Sequence, residues 1–245
     1  MSYGTVQGKV VVVVGASSGM GRATSAALVR AGATVVACAR REEALASLAA
    51  EVRAEGGAIE TMVMDVRDRA GVERGLGETA ARHGGIDVLI YAAGINIPGR
   101  AISVLSPKDW DDLIGTNLTG AYHCTQVVLP IMQRQEDGLI IYISSISAKR
   151  GDMSGVAYQA AKRGIDGIVA GAATELTGGP VRFSVIYPGL CDTPLIDRRP
   201  VPPSAEERAA ALKPEDIAQL CLYVASTPPH VHLPEVVIMP KRPLR

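Results

Sequence analysis

The chain of 245 residues contains one Trp and one Phe, and aromatic residues make up only 4 % of it. Apolar residues nevertheless reach 47 %, so any core must be aliphatic, built on Val, Ile, Leu and Ala. Four cysteines, Cys38, Cys124, Cys191 and Cys221, are scattered and form no Cys-x-x-Cys. That spacing supports neither a disulfide framework nor a thiolate zinc site, and reads as reduced thiols in a cytoplasmic protein. His230 and His232 stand two apart with no third ligand nearby in sequence, so no metal is expected. Lys plus Arg equals Asp plus Glu, 25 against 25. A zero balance leaves no electrostatic footprint for nucleic acid or an anionic membrane. No apolar run reaches the length of a membrane span, and the start of the chain shows no basic segment followed by a signal-length apolar run.

What the chain does have is alternation. Apolar, β-branched runs at 9–14, 34–39, 59–64, 87–91, 139–144 and 182–187 read as strands. They lack polar alternation, which suits strands buried on both faces of a parallel sheet. Helical patterns fall between them at 21–31, 42–55, 69–82, 107–133 and 157–177, with a last helix at 214–226 and a short seventh strand at 235–239. This order predicts a doubly wound α/β sheet of about seven mainly parallel strands, helices on both faces, in one domain over 1–245. The Pro- and Arg-rich tract at 198–203 reads as a surface excursion.

The first strand runs into Gly15-Ala16-Ser17-Ser18-Gly19-Met20-Gly21 and then a helix. Glycines at such a turn let the backbone approach a phosphate, and a helix N-terminus favours its charge. A tight turn needing positive φ is the plainer alternative; the position in the first βα unit favours the nucleotide. Ala39-Arg40-Arg41 follow the second strand, where dinucleotide sites read the adenosine ribose. An acidic residue there would accept from a 2′-hydroxyl, whereas an arginine fork suits a 2′-phosphate. NADP(H) is therefore expected over NAD(H). Farther on, Tyr158 and Lys162 stand four apart on one helical face. An ammonium near a phenol favours the phenolate. Bringing a tyrosine from about 10 to about 7 needs roughly 4 kcal/mol. One charge at about 4 Å supplies something of that size at an effective dielectric of about 20, so a second positive charge would complete the shift.

These motifs, in this order, resemble the short-chain dehydrogenase/reductase family over residues from about 8 to 240. Gly15, Gly19 and Gly21 resemble the family's Thr-Gly-x-x-x-Gly-x-Gly, with Ser17, Ser18 and Met20 in the turn. Asp65-Val66 resembles the pair that contacts adenine, and Tyr91-Ala92-Ala93-Gly94 stands where Asn-Asn-Ala-Gly is usual. Pro188-Gly189-Leu190-Cys191-Asp192-Thr193 resembles the Pro-Gly-x-x-x-Thr that closes over the nicotinamide. The resemblance implies catalytic Asn117, Ser145, Tyr158 and Lys162. Tyr158 would exchange the proton, Lys162 would lower its pKa and hold the nicotinamide ribose, and Ser145 would polarise the substrate oxygen. Asn117 would hold a water linking the lysine to solvent. The family spacing selects Ser145 over Ser144, with Ser147 as fallback. Val14, Tyr91, Ala92 and Tyr187 depart from the usual residues and touch scaffold support more than chemistry.

The substrate implied is a small carbonyl or secondary alcohol. Its choice should lie with a lid at 190–213 and with 95–101 and 147–155. Asp192 is expected to cap the lid helix, and Arg198 and Arg199 to meet an anionic substrate or solvent. Met153 or Tyr187 would line a pocket or pack the core. Leu233-Pro234-Glu235-Val236-Val237-Ile238 is similar to relatives acting on small hydroxy acids. Gly164, Gly167 and Gly171 on the helix after Tyr158 suit close approach of another helix. By resemblance that helix and the one at 107–133 form a dimer or tetramer interface; packing within the chain would use the same glycines. Two other classes fit part of the pattern. A non-catalytic NADP(H) sensor would be expected to lose Tyr158 or Lys162, and a methyltransferase would carry an acid where Arg40 and Arg41 stand.

Overall fold

A computed structural model describes residues 4–241. Seven strands form one sheet: β1 (Val10–Val14), β2 (Thr34–Ala39), β3 (Glu60–Val63), β4 (Val88–Tyr91), β5 (Gly138–Ile143), β6 (Val181–Pro188) and β7 (Glu235–Ile238). Their order is β3-β2-β1-β4-β5-β6-β7, and every pair is parallel. The direction of winding reverses between β1 and β4, which opens a crevice at the strand C-termini, the usual ligand position in such sheets. The single-domain reading over 1–245 extends onto residues 1–3 and 242–245, which lie outside the described part.

β1 shows why the sheet forms here. Five valines suit the pleated surface, and all are buried. Successive side chains point to opposite faces. Val11 and Val13 join one aliphatic core with α1 (Gly19–Arg30), α2 (Glu42–Ala54) and α8 (Pro214–Ala225). Val12 and Val14 join the other, with α3 (Arg69–His83), α5 (Gly120–Arg134) and α6 (Val156–Glu175). The sheet thus divides the core into two layers: one is wholly aliphatic, and the other also holds Tyr91, Tyr142, Tyr187 and Phe183, against the expectation of a purely aliphatic core. Among the described residues, no helix is long and apolar enough to cross a membrane.

The segment expected as one helix over 107–133 differs from that reading. It consists of α4 (Pro107–Ile114), a π-helical turn at Gly115–Thr119, and α5. The wide turn leaves the Thr116 carbonyl to accept the Tyr91 hydroxyl at 2.5 Å. Gly120 is needed there, since a Cβ would stand 2.5 Å from Tyr91 Oη. Such turns mark functional sites in many helices; this one carries Asn117. Tyr91 therefore supplies a hydrogen bond of its own where the usual asparagine is missing.

The 190–213 segment contains a 3₁₀ turn at Pro194–Arg198 and α7 (Ala205–Ala210). Asp192 does not cap either. Ser204 caps α7 in a capping box with Glu207, while Asp192 is 3.0 Å from Arg208 Nη1 and 3.0 Å from Lys213 Nζ. Two cations on α7 and its exit draw this carboxylate away from the turn and tie the segment's two ends together.

Candidate active site

The glycine turn begins the site. Gly15 has φ +93°, and a Cβ there would lie 2.5 Å from the Ala93 nitrogen. Only glycine lets β1 turn beneath the loop after β4. The turn delivers the chain to α1, whose N-cap Ser18 makes no side-chain capping bond and whose first turn holds no acidic residue. Its backbone N–H groups remain available to an anion. A cleft of about 280 Å³ lies against this end. Gly15, Ser17, Ser18, Gly19, Met20 and Gly21 form one wall, and Arg40 and Arg41 border it. Val66, Ala93 and Gly94 line the next part, and Thr193 joins them from the 190–213 segment.

The charges in this cleft fit a phosphorylated dinucleotide. Arg41 Nη2 donates to Ser17 Oγ at 2.9 Å and to Ser18 Oγ at 2.8 Å. Arginine can only donate, so both serine hydroxyl hydrogens are left to point elsewhere. A guanidinium and two hydroxyl donors are thus assembled beside the helix N-terminus. Among the described residues no acidic side chain lines the cleft. Asp65 stands near it, 4.0 Å from Arg40 Nη1 and 2.9 Å from Arg67 Nη2. Burial works against its charge, but the bonds from Arg67 prevail and hold its carboxyl below the usual range. Pro188, Gly189 and Leu190 are outside the cleft wall. The Gly189 N–H donates to Ile238 O at 2.8 Å, and Leu190 O accepts from Leu212 N at 3.0 Å.

The four residues expected to be catalytic converge on one place. Ser145 follows β5, Tyr158 and Lys162 lie on α6, and Asn117 lies on the π turn. Ser145 lies close enough to Tyr158 to pull its phenol down. Ser144 points elsewhere, donating to Lys162 O at 3.3 Å. A Cβ on Gly94 would sit 3.5 Å from Asn117 Oδ1 and 3.6 Å from Lys162 Nζ, which shows how closely the loop after β4 packs on them. Asn117 is committed in both directions: Oδ1 accepts from Ile95 N at 2.7 Å and Nδ2 donates to Ile95 O at 2.9 Å. It ties that loop to the helix with one bond from each end of its amide, leaving one hydrogen and one lone pair unused by these two bonds.

Burial acts oppositely on the tyrosine and the lysine. It pushes the Tyr158 phenol up to about 12, against the opposing pull of Ser145, Arg100 and Arg199. It lowers the Lys162 ammonium to about 8. Lys162 Nζ donates to Ile143 O at 2.9 Å and stands 5.7 Å from the Tyr158 ring centre.

A second cleft, of about 740 Å³, adjoins α6. Pro98, Arg100 and Ala101 meet Asp152, Met153 and Gly155 there, with Pro200 from the 190–213 segment. The three segments expected to choose the substrate thus share one cleft. Met153 is exposed in it, whereas Tyr187 is fully buried and donates to Asp166 at 2.8 Å. Arg198 lines the first cleft. Sequence reasoning passed over Arg100, a buried arginine whose Nη2 donates to Arg198 O at 2.5 Å. A lone Gly-Arg in a loop gives no signal of that. Asp152 was also passed over, although Asp152-Met153-Ser154 has the form of an Asx turn, with Ser154 N donating to Oδ1 at 2.8 Å.

Comparison with known proteins agrees with this geometry. The family model described as short chain dehydrogenase matches residues 9–200. The chain belongs to the short-chain dehydrogenase/reductase family. It is an oxidoreductase of the CH–OH class, in a family that uses a nicotinamide dinucleotide. It is 34 % identical over 228 residues to the 3-oxoacyl-[acyl-carrier-protein] reductase FabG of Thermotoga maritima, covering 90 % of this chain and 92 % of that one. A metagenomic short-chain oxidoreductase in complex with NADP superposes with TM-score 0.83 at 32 % identity, covering 97 % and 99 %. The closed form of a serine dehydrogenase complexed with NADP+ gives TM-score 0.85 at 31 % identity, covering 94 % of each chain.

Proposed function

We propose that this protein transfers a hydride between NADP(H) and a small carbonyl or secondary alcohol, with Tyr158 as the proton donor or acceptor. The observation that carries the reading is that Asn117 and Lys162 meet at Gly94, which lines a cleft bordered by Arg40 and Arg41, with Tyr158 beside Lys162 and Ser145 beside Tyr158. The bound nicotinamide would supply or take the hydride. Gly15, Ser17, Ser18 and Gly21 would hold its phosphates, Arg41 and Arg40 the 2′-phosphate, and Thr193 the nicotinamide end. Lys162, beside Gly94, would hold the ribose and keep positive charge near the phenol. Ser145 would donate to the substrate oxygen, as a preorganised donor does.

The NADP(H) preference rests on the Arg41–Ser17–Ser18 cluster and on NADP in the two structural relatives. We read residues 1–245 as one domain, with 190–213 as its lid over the two clefts. A small hydroxy acid is a favoured class within the substrate range, given the 233–238 segment and a relative named for serine. Gly164 packs on Leu118 within the chain, but Gly167 and Gly171 face open space, which leaves part of α6 for a second copy in a dimer or tetramer. Free, buried thiols fit a cytoplasmic setting.

The deciding experiment incubates the protein with NADPH or NADH and a panel of small ketones, aldehydes and oxo acids, following reduced-nicotinamide absorbance. Oxidation with NADPH preferred is expected. Tyr158→Phe is expected to lose most turnover, of order 10²-fold or more, while NADPH affinity survives. Tight NADPH binding without turnover across the panel would favour a sensor, and equal or better turnover with NADH would overturn the cofactor preference.

A further inference from the structure

Arg100 is a permanently charged side chain, only 7 % exposed, and among the described residues no carboxylate is ion-paired with it. Its Nε donates to Ile97 O at 2.7 Å and its Nη2 to Arg198 O at 2.5 Å. A guanidinium has five N–H donors and keeps its charge, so these bonds leave three donors unused. A buried cation of this kind calls for an anion as its partner. Its position is fixed from the other side as well. A Cβ on Gly155, the residue before α6, would stand 2.6 Å from Arg100 Cβ.

Arg100 sits where the two clefts meet. It lines the larger one, and Arg198, bonded to it, lines the one at the glycine turn. Most of the larger cleft lies away from the phenol. Val156, Gln159, Ala160 and Arg163 line it, on the side of α6 turned away from Tyr158 and Lys162. The Arg100 end reaches back toward them. Ile97, whose carbonyl holds Arg100, packs with Leu195 against the small cluster of Leu113, Ala157 and Tyr158. Arg100 also lies close enough to Tyr158 to oppose the rise of its phenol. Beyond Arg100 the walls turn apolar, with Pro98, Ala101, Val104 and Pro200. Val104 and Met153 are 66 % and 85 % exposed there, an apolar surface that a ligand would cover.

We propose that Arg100 binds the carboxylate of an oxo or hydroxy acid whose apolar chain lies in the larger cleft. The proposal rests on the dehydrogenase reading above and deepens it, since it makes a negative charge on the substrate a requirement and names the residue that reads it. The anchor is Arg100 rather than Arg198, whose carbonyl seats the guanidinium. The planar fork of a guanidinium matches a carboxylate through two parallel bonds. Asp152 does not take that place. Its Oδ2 accepts from Ser147 Oγ at 2.6 Å and its Oδ1 from Ser154 N at 2.8 Å. It does share the cleft, where it repels a second negative charge, so a singly charged carboxylate fits better than a phosphate dianion. Arg163 adds positive charge within the same cleft. Bound to Arg100, the acid turns its carbonyl or hydroxyl inward to Tyr158 and its chain outward along α6.

The test compares 2-oxohexanoate and 4-oxohexanoate with their methyl esters, using NADPH and following its absorbance. The wild type is expected to reduce one of the acids with a kcat/KM at least about tenfold above that of its ester. In Arg100→Met this acid-to-ester ratio should fall about 10- to 100-fold, as loss of charged hydrogen bonds predicts, with the change in KM more than in kcat. Arg100→Lys keeps the charge without the fork and should recover part of the ratio. A wild type that prefers the esters or reduces only neutral ketones would overturn the proposal. So would equal losses for acid and ester in Arg100→Met, which would leave Arg100 as a brace between Ile97 and Arg198. A wild type that reduces neither these four compounds nor anything on the carbonyl panel would instead defeat the dehydrogenase reading. Calorimetry with hexanoate on the NADPH-bound protein then still decides. Binding that Arg100→Met weakens at least about tenfold supports the anion site, and equal binding or none overturns it. Tighter binding of inorganic phosphate than of hexanoate would overturn the carboxylate assignment.

Discussion

Replacing Lys162 with Met should make the cofactor-free protein less sensitive to pH, and the size of the effect can be worked from the structure. Lys162 is 3 % exposed, and its ammonium donates to the Ile143 carbonyl. Among the described residues no carboxylate is ion-paired with it. Burial alone depresses it from 10.5 to about 8. At about 1.4 kcal/mol per tenfold change in proton affinity, this is a penalty of about 3 kcal/mol when the lysine is charged. The sign follows from proton counting. Between about pH 8 and the unfolded value the unfolded chain holds a proton that the folded chain has lost, so wild-type stability rises with pH across that window. Below it both states are protonated and the penalty is complete. Lys162→Met abolishes this titration. It also leaves the Ile143 carbonyl without its donor, a loss of about 1–3 kcal/mol that does not depend on pH. The clean observable is therefore a double difference. Urea unfolding of both proteins at about pH 7.5 and 9.5 should show the wild type gaining about 2 kcal/mol more than the variant. The raised cysteines and tyrosines titrate in both proteins and cancel. Equal pH slopes would refute the reasoning and mean that the ammonium is solvated in the folded protein.

Two further perturbations bear on the cleft and its support. Arg41→Ala removes a guanidinium already bonded to Ser17 and Ser18. A charged hydrogen bond is worth about 1.5–3 kcal/mol, so NADPH affinity should fall roughly 10- to 100-fold in a fluorescence titration at low salt while NADH affinity holds. Equal losses for both cofactors would place Arg41 in the turn rather than on the 2′-phosphate. Gly120→Ala would place a Cβ 2.5 Å from both Tyr91 Oη and Val66 Cγ2. Overpacking of this kind costs about 1–3 kcal/mol, and thermal unfolding should show a lower Tm.

The inner strands were legible as largely apolar runs, as burial on both faces demands, while the edge strands β3 and β7 are only partly buried. The glycine turn shows in the local sequence and the spacing of Tyr158 and Lys162 puts them on one helical face, whereas Ser145 was picked out only by the family resemblance. What escaped depends on partners distant in sequence. Nothing in 107–133 announces a π turn; it arises where Tyr91 from β4 reaches the Thr116 carbonyl. Asp192 next to Thr193 reads as a cap from local sequence, but Arg208 and Lys213 claim it from sixteen and twenty-one positions away. For Tyr187 the sequence left pocket lining and core packing open; it is buried in the core, where its hydroxyl donates to Asp166 and Lys149 stands 4.2 Å over its ring. Arg100 carries no motif at all, and only the folding of the 190–213 segment gives its guanidinium the Arg198 carbonyl.

Tyr158 cannot be made a base at neutral pH by these side chains alone, and this leads to a testable asymmetry between the two forms of the cofactor. Burial sets the phenol at about 12. Bringing it to about 7 takes roughly 7 kcal/mol. A charged Lys162 about 6 Å away supplies about 3 kcal/mol at an effective dielectric of about 20. That contribution is itself lost above about pH 8, where the lysine gives up its proton. Roughly 4 kcal/mol remains, about what one more positive charge at contact distance provides. Oxidised nicotinamide carries such a charge and the reduced ring does not. The Tyr158 phenolate titration should therefore move to lower pH with NADP+ than with NADPH, by about two to three pH units if the ring lies within about 4 Å. Identical titrations with the two forms would refute the assignment of Tyr158 to the nicotinamide end of the cleft, whatever the phenol does in the free protein.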